Sequence, residues 1–460
     1  MYENVLNDNV FPETTNWEDF LIDFYDFVVD FDGFGILQPL NHYVESPSQI
    51  RSKFSLETYR KGALILRMLK DAITEEVFIQ GVKYYLDEMQ FKSASPDDLF
   101  AGIQKAYDEA FPGTDINISE LMQTWTNLPG IPIVTVSRSD NGLLLTQEGL
   151  GTSNDDLFSI PINFATASNK NFDDVKAEFW MTTKEHEITR ENTGKTWTDD
   201  DWIIFNLRET GYYMTNYDET LWGLITSSLA NDHEGIHFFN RGTLFADSFR
   251  FIEHAVDFRA TIYLELIDSL KLEFHPHVWR RANQGMRVFE SRLRGSELHG
   301  MFLAFMNDMM SGIYGRSFEN DFFATNIVNR HSCSSGVQAC NDDALQALIE
   351  VMETGRTDFA WNFRCNAFRV ANETVWMHFF DDTMSRRGET WERMFFFFDL
   401  ECTQNPKLIQ HVLESTIDMT NNLLPFERDN MMRFMPRESF VGYEAVIEFV
   451  KKNHEIINKK

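Results

Sequence analysis

The chain has 460 residues, and its 41 basic and 71 acidic side chains leave a formal net charge of −30 at neutral pH. A protein this acidic is repelled by phosphate backbones, so the charge disfavours nucleic acid as a partner. The length predicts about three domains, and no run of the sequence approaches the ~18 apolar residues that a membrane-spanning helix needs.

The N-terminus and the cysteines give different indications about the cellular compartment. The chain opens Met1-Tyr2-Glu3-Asn4, without the basic region and apolar run of a secretory signal peptide. The four cysteines, in contrast, form two spaced pairs, which favours an oxidising compartment. Four cysteines can form two disulfides in three different ways. The alternative is that they form no disulfide and are four buried free thiols. We therefore expect this sequence to be a piece of a longer secreted protein.

The first part of the chain is predicted to be helical. Apolar residues recur at helical spacing through WEDFLIDFYDFVVDF, which begins after Asn16 and ends near Gly33. Further amphipathic helices are predicted from Thr74, Asp97 and Ile118.

Between this first predicted helix and those that follow lies FSLETYRKGALILRML, which runs from Phe54 to Leu69. Its apolar residues recur at helical spacing and predict a buried face that includes Tyr59. Arg60 and Lys61 lie off this face, so we expect both side chains to stay in water. The face consists of Leu56, Tyr59, Ala63, Leu66 and Leu69.

The helical spacing of the apolar residues ends at Pro129, Gly130 and Pro132, and a β-rich part of the chain begins there. Candidate strands are GLLLTQE, FSIPINFAT, VKAEFWM and WIIFN, with turn clusters between them. Short strands with frequent turns predict a small β-sandwich.

Beyond Leu221 the chain is again predicted to be helical. A succession of helix pairs without an exact repeat suits an α-solenoid.

Three strings give the sequence a resemblance to a known family. Tyr59 comes just before Lys61-Gly62-Ala63, Trp125 is followed by Gly-x-Pro at residues 130–132, and GYYMTNYD spans residues 211–218. With these strings the chain resembles the aminopeptidase N (membrane alanyl aminopeptidase) family of zinc metallopeptidases, the gluzincins. The resemblance covers the C-terminal half of a member, starting just after the zinc-binding motif. Met214 stands where the family has arginine.

The resemblance implies a multidomain, mainly α fold. Residues 1–129 would be the C-terminal helices of a thermolysin-like catalytic domain. Residues 130–217 would be the β-sandwich, and residues 218–460 a HEAT/armadillo-like helical solenoid that is incomplete at its C-terminus. The family pairs neighbouring cysteines, which here implies Cys333–Cys340 and Cys365–Cys402.

The resemblance also implies a role for Tyr59. In the family this tyrosine donates its hydroxyl to the oxyanion that forms when metal-bound water attacks a peptide carbonyl. The alternative for Tyr59 is an ordinary half-buried aromatic side chain. The family's zinc ligands and the motif that grips the substrate's free amine lie upstream of this helix and are absent here. We therefore expect no cofactor in the chain as given, zinc in full-length members, and no activity of the chain alone.

His233, Glu234 and His237 form HEGIH, which fits the zinc-peptidase signature His-Glu-x-x-His. A real site needs both histidines on one face of a helix and a third ligand. Gly235 interrupts the motif, and the family spacing places Val256 at the third ligand. We interpret HEGIH as a chance match in a solvent-exposed turn. A metalloenzyme built on this motif is the less favoured hypothesis.

Two functions remain open at this point. The resemblance implies zinc-dependent removal of N-terminal amino acids from peptides, so peptides with a free N-terminus are the expected partners. The alternative is a non-catalytic peptide-binding or receptor-like module that uses the concave face of a solenoid.

Sequons at Asn117 and Asn372 predict glycosylation. The expected location is extracellular or on the outer face of the plasma membrane, with membrane contact only through parts absent from this chain. A homodimer is left open.

Overall fold

The computed structural model describes residues 20–55, 57–153, 155–316, 322–354, 363–386, 397–438 and 440–457. These residues are mainly helical, which confirms the predicted mainly α class. The chain divides into two compact units, Met1–Gly285 and Met286–Lys460. The boundaries of the three predicted domains stay predictions. No helix in the described ranges is long and apolar enough to cross a bilayer.

The first unit opens with helices. A π-helical segment, Leu21–Asp26, continues directly into the first α-helix, and a second π-helical turn, Glu57–Lys61, precedes the third. The start of the predicted first helix, including Trp17, lies outside the described residues. The α-helices are α1 (Phe27–Gly33), α2 (Pro47–Ser52), α3 (Gly62–Ile73), α4 (Glu75–Met89), α5 (Pro96–Ala110) and α6 (Ile118–Asn127).

Helix α3 buries a different face from the one that the sequence predicts. Its buried side chains include Leu64, Ile65, Met68 and Leu69, of which Leu69 belongs to the predicted face, whereas Tyr59 is 61% exposed. The prediction that Lys61 stays in water is wrong, because this side chain is 1% exposed. The π-helical turn explains both differences, since its i→i+5 hydrogen bonds shift residues 57–61 out of phase with an α-helical wheel. Leu56 lies outside the described residues.

All strands of the described chain lie between residues 131 and 217. Strands β1 and β2 form an antiparallel hairpin, β6 extends it beyond β2, and β8 pairs with β1 in parallel, which gives the order β6-β2-β1-β8. Two further antiparallel pairs are β3 with β5 and β4 with β7. The bounds are β1 (Ile131–Ser139), β2 (Gly142–Leu150), β3 (Ile160–Ile162), β4 (Phe164–Thr166), β5 (Phe179–Met181), β6 (Glu185–Thr189), β7 (Ile203–Phe205) and β8 (Met214–Tyr217).

Helices complete the first unit. Four α-helices follow β8, namely α7 (Glu219–Asn231), α8 (Phe238–Glu253), α9 (Thr261–Ser269) and α10 (Pro276–Leu293), of which α10 continues beyond Gly285 into the second unit. Helix α8 is buried on all sides from Phe239 to Phe251, so it is the central helix of the unit. Its buried residues include Arg241, Asp247 and Arg250, which must therefore find charged partners inside the protein.

The second unit is helical throughout its described part, and two disulfides cross-link it. Cys333 is joined to Cys340 and Cys365 to Cys402, with Cα separations of 5.1 and 5.3 Å. These are the pairs that the family resemblance implies. The helices are α11 (Glu297–Ser311), α12 (Phe322–Ser335), α13 (Gln338–Thr354), α14 (Arg364–Val370), α15 (Glu373–Ser385), α16 (Pro406–Ile417), α17 (Pro425–Glu438) and α18 (Phe440–Ile457).

Candidate functional site

Tyr59 lies on the π-helical turn just before α3. Its ring is 61% exposed and its centroid is 6.3 Å from that of Phe54. Among the described residues, its hydroxyl has no hydrogen-bond partner. The hydroxyl is therefore free to donate to a ligand that reaches this surface.

The next residue, Arg60, holds the turn against the first π-helical segment and α1. The guanidinium carbon of Arg60 is 4.8 Å from the ring centroids of both Phe24 and Phe27. Cation–π contacts of this kind contribute roughly 0.5–1 kcal/mol each where they are partly exposed. Arg60 therefore restricts the backbone of the turn while Tyr59 points to solvent.

Lys61 anchors the same turn from the inside. Its Nζ is 2.6 Å from Oδ2 of Asp32, and both side chains are buried. Asp32 also accepts hydrogen bonds from the Tyr212 hydroxyl at 2.8 Å and from the Gly130 amide at 3.1 Å. Burial raises the pKa of Asp32, and the Lys61 ammonium and the two hydrogen bonds oppose that rise. Each of the three strings that carry the resemblance thus contributes one residue to this cluster.

Gly130 fits this cluster only as a glycine. Its φ is +77°, and an added Cβ would lie 2.3 Å from the carbonyl oxygen of Leu150. Its own carbonyl accepts a hydrogen bond from Lys61 Nζ at 3.2 Å. Nearby, the buried Trp125 donates its indole N–H to the carbonyl of Ser159 at 2.7 Å. The junction between α6 and β1 is therefore fixed to the turn that carries Tyr59.

A second buried cluster of charges joins α8 and α10 to the first residues of the unit. Arg250 donates to Asp26 at 2.9 Å and to Asp30 at 2.7 Å. Arg281 makes two parallel bonds to Glu209 and also pairs with Asp26. Burial raises the pKa of Glu209, and the Arg281 guanidinium opposes the rise. Paired in this way, the charges hold the ends of several elements in one arrangement.

The short segment that supplies Glu209 has an unusual backbone. Asn206, Arg208 and Glu209 have φ values of 57°, 52° and 53°, a left-handed conformation that side chains disfavour. Arg67 of α3 donates to the carbonyls of Glu209 and Arg208, and the Asn240 side chain accepts from the Arg208 amide at 2.8 Å. Arg67 therefore links the helix that follows Tyr59 to the second cluster.

One carboxyl beside this cluster is incompletely satisfied. Asp247 accepts from the Thr215 amide at 2.9 Å through Oδ2, while Oδ1 has no hydrogen-bond partner among the described residues. Arg250 Nη1 is 3.9 Å from Oδ1. Burial raises the pKa of Asp247 to about 7, although Arg250 and the amide hydrogen bond lower it.

HEGIH does not form a helical face. His233 lies in a single 3-10 turn, His233–Gly235, and His237 is the N-cap of α8, with extended Ile236 between them. The Nδ1 atom of His237 accepts from the Phe239 amide at 3.2 Å, and burial lowers the pKa of His237 to about 4. No three histidine, cysteine or acidic side chains converge as metal ligands anywhere in the described ranges. The residues described here therefore do not fit a zinc ion.

Both sequon asparagines are exposed N-caps. Asn117 caps α6 by accepting from the Glu120 amide at 3.2 Å, and Asn372 caps α15 by accepting from the Val375 amide at 3.0 Å. Each cap uses the side-chain oxygen, so the side-chain nitrogen that a glycan would modify stays outside the cap. Glycosylation of Asn117 and Asn372 stays a prediction.

Sequence reasoning missed Asp32, the residue at the centre of the first cluster. A signal was present, because Asp32 follows Val28 by four residues and Val29 by three, which places it on the apolar face of α1. Both valines are fully buried. An acidic residue on a buried face requires a partner, and Lys61 is that partner.

Two family models match the chain. The model described as "Peptidase family M1 domain" matches residues 1–125, which include Tyr59. The model described as "ERAP1-like C-terminal domain" matches residues 202–460, more than half of the chain.

Curated aminopeptidases are similar over most of the chain. The aminopeptidase N of Plutella xylostella is 27% identical over 390 residues, which are 81% of this chain and 39% of that protein. The membrane alanyl aminopeptidase of Heliothis virescens is 25% identical over 91% of this chain and 43% of its own length. Human aminopeptidase N is 24% identical over 83% of this chain and 42% of its own length. The chain therefore spans about two fifths of the length of these relatives.

Proposed function

The chain belongs to the aminopeptidase N family of metallopeptidases, and on that premise we propose that it is one part of an aminopeptidase that removes N-terminal amino acids from peptides. Peptides with a free N-terminus are then its ligands. Support comes from the peptidase-domain match over residues 1–125 and from similarity to aminopeptidases over most of the chain.

The observation that carries the proposal is the placement of Tyr59. Its hydroxyl is exposed on a turn whose next two residues are held by Phe24, Phe27 and Asp32. In the proposed role the hydroxyl donates to the oxyanion that develops on the substrate carbonyl. A donor that is already oriented stabilises this charge without reorganising during the reaction.

The chain alone is proposed to be inactive. The metal ligands and the amine-binding motif are proposed to come from a zinc-bearing part of an aminopeptidase outside residues 1–460, as the family resemblance implies. Zinc, when bound there, would supply the activated water.

The finer architecture is part of the same proposal. Residues 1–129 are proposed as the end of a thermolysin-like catalytic domain, residues 130–217 as a β-sandwich and residues 218–460 as a helical solenoid. The confinement of the described strands to residues 131–217 supports the second boundary. The match of an ERAP1-like C-terminal domain to residues 202–460 supports a distinct C-terminal region.

A non-catalytic peptide-binding or receptor-like module is the second candidate. An extracellular location is proposed for either function, and the two disulfides support it. Glycosylation at Asn117 and Asn372 and assembly into a homodimer belong to the same proposal.

The test joins this chain to the zinc-bearing remainder of the Plutella xylostella aminopeptidase N. We expect the chain alone to hydrolyse no aminoacyl reporter substrate, with or without zinc, and the chimera to hydrolyse it. Metal-dependent turnover by the chain alone that His233→Ala abolishes would instead establish HEGIH as the active centre. Binding of peptides by an inactive chimera would favour the receptor-like module.

Within an active chimera, Tyr59→Phe should lower kcat by about 100-fold or more with little change in substrate binding. The free energy of unfolding should stay within about 0.5 kcal/mol, because the hydroxyl makes no folding contact among the described residues. Tyr43→Phe is the matched control, since Tyr43 is 83% exposed in the same part of the chain. An unchanged kcat in Tyr59→Phe would refute the role of Tyr59.

A further inference from the structure

A cavity of about 260 Å³ lies at the end of the β1–β2 hairpin in the first unit. Its polar wall is formed by two arginines, Arg138 and Arg190, together with the carboxylates of Asp140 and Asp199. The two positive and two negative side chains balance around the cavity, whereas the chain as a whole has a formal net charge of −30.

Arg138 is only partly satisfied by the protein. Its Nη2 donates to the carbonyl of Asp201 at 3.3 Å, and its Nη1 is 3.8 Å from Oδ1 of Asp199. Its buried Nε has no hydrogen-bond partner among the described residues. The Asp199 side chain is 82% exposed, so water screens most of its attraction for Arg138. Arg138 therefore keeps an incompletely neutralised positive charge on the cavity wall.

Arg190 faces the same carboxylate oxygen. Its Nη2 donates to Oδ1 of Asp199 at 2.5 Å, and its guanidinium carbon is 5.7 Å from the ring centroid of Trp197. The Arg190 side chain is 47% exposed, so this ion pair is also solvent-screened. One carboxylate oxygen of the exposed Asp199 side chain thus lies within ion-pair distance of both guanidinium groups.

We propose that this cavity binds a small oxyanion, a carboxylate or phosphate group, between Arg138 and Arg190. The guanidinium fork matches the geometry of either group, and Asp199 occupies the anion position until a ligand displaces it. Trp197, Leu143 and Ile203 are buried and close the cavity, whose volume is below that of most drug-sized ligand sites. The site does not depend on the proposed peptidase function.

The carboxylates of Asp140 and Asp199 determine how tightly the oxyanion should bind and whether a substitution should raise or lower its affinity. Asp140 and Asp199 oppose an incoming anion, so we expect a dissociation constant on the order of 1 mM. Removing the carboxylate of Asp199 abolishes the competition, whereas removing a guanidinium removes the ligand's donors. The two kinds of substitution should therefore change the affinity in opposite directions.

Fluorine NMR of the full chain labelled with 5-fluorotryptophan tests the proposal. The chain has ten tryptophans, and loss of one signal in Trp197→Phe assigns the reporter. Sodium phosphate and sodium acetate are titrated separately, with sodium chloride keeping the ionic strength constant. We expect a saturable shift of the Trp197 signal. Tighter binding of phosphate or of acetate identifies which oxyanion the cavity prefers, and either result supports the site.

Three variants decide between specific binding and a general charge effect. Arg138→Gln should weaken binding at least ~10-fold, and Asp199→Asn should strengthen it about three-fold. Arg259→Gln is the control, because Arg259 is 50% exposed and paired with exposed Glu219 outside the cavity. Arg190→Gln, at a more exposed position, replaces Arg138→Gln if that variant does not fold. A linear shift without saturation, weaker binding in Asp199→Asn, or an equal loss in Arg259→Gln would overturn the proposal.

Discussion

At the scale of single residues, Asp32 determines how firmly the Tyr59 turn is held. Its carboxylate binds Lys61, Tyr212 and Gly130, which come from three separate parts of the chain. Without the carboxylate, the buried ammonium of Lys61 would keep only the Gly130 carbonyl among these partners. The same contacts therefore stabilise the first unit and hold the turn that carries Tyr59 in position.

Asp32→Asn should lower the free energy of unfolding of the first unit by about 3 kcal/mol, because it leaves a buried charge without its counter-charge. Urea denaturation measures this difference. Glu219→Gln is the matched control, since it breaks the exposed pair with Arg259 and should cost less than about 1 kcal/mol. Equal losses in the two variants would show that the buried pair is not the main anchor.

A buried histidine provides a second residue-scale prediction, because His277 is fully buried and neither ring nitrogen has a hydrogen-bond partner among the described residues. Burial lowers the pKa of His277 well below its usual value, and nearby Arg281, Arg280, His275 and His237 lower it further. The neutral ring is therefore the form that the folded state accepts. Its contribution to stability is complete above pH ~6.5 and decreases at lower pH, by up to about 1.4 kcal/mol per pH unit.

His277→Phe should reduce this loss of stability between pH 6.5 and 5, since phenylalanine does not titrate. Urea unfolding of the first unit at several pH values gives the comparison, with His186→Phe, at a partly exposed position of the same unit, as the control. Asp247, whose pKa burial raises to about 7, acts in the opposite sense and loses its contribution as pH rises. The difference in the free energy of unfolding between His277→Phe and the parent protein, followed across pH, isolates the contribution of His277. A parallel pH dependence in both would contradict the prediction.

At the scale of elements, α8 shows how close packing determines residue choice. Gly242 lies in the middle of this buried helix, where an added Cβ would be 2.9 Å from Cδ2 of His277 and 3.1 Å from Cδ of Arg281. Arg281 is held by Glu209 and Asp26, so it cannot easily move away. This contact explains why a glycine stands at position 242 of the helix.

Gly242→Ala should destabilise the first unit by about 1–3 kcal/mol, because steric overlap exceeds the gain in helix propensity. Gly223→Ala in α7 is the matched control. A Cβ there meets no atom within 4 Å, so the substitution should stabilise the unit by up to about 1 kcal/mol. Differential scanning calorimetry should show midpoints that move in opposite directions. Two shifts of the same sign would contradict the packing argument.

At the scale of the whole molecule, the sequence predicts the order of helical and β-rich parts but not the contacts that tie them together. Hydrophobic periodicity and turn residues report local conformation, which is why most strands fall within the expected segments, whereas β6 and β8 were not among the candidate strands. Periodicity placed Lys61 in water and missed Asp32, because it does not show which polar side chain has a buried partner far along the chain. The π-helical turn before α3 also changed the buried face, and no local pattern predicts such a turn.

The two disulfides lead to a prediction about the units as wholes. Both lie within Met286–Lys460, and all four cysteines of the chain are in these two bonds. Reduction should therefore destabilise the second unit and leave the first unchanged. The bonds span 7 and 37 residues of sequence, for which the chain-entropy model gives about 2.5 and 4 kcal/mol.

Hydrogen exchange followed by mass spectrometry, with and without reductant, measures each unit in the same sample. Cys365→Ser with Cys402→Ser should accelerate exchange in the second unit more than Cys333→Ser with Cys340→Ser, because the longer loop regains more freedom. Peptides from the first unit serve as the internal control. Faster exchange in those peptides after reduction would mean that the stability of the first unit depends on the folding of the second.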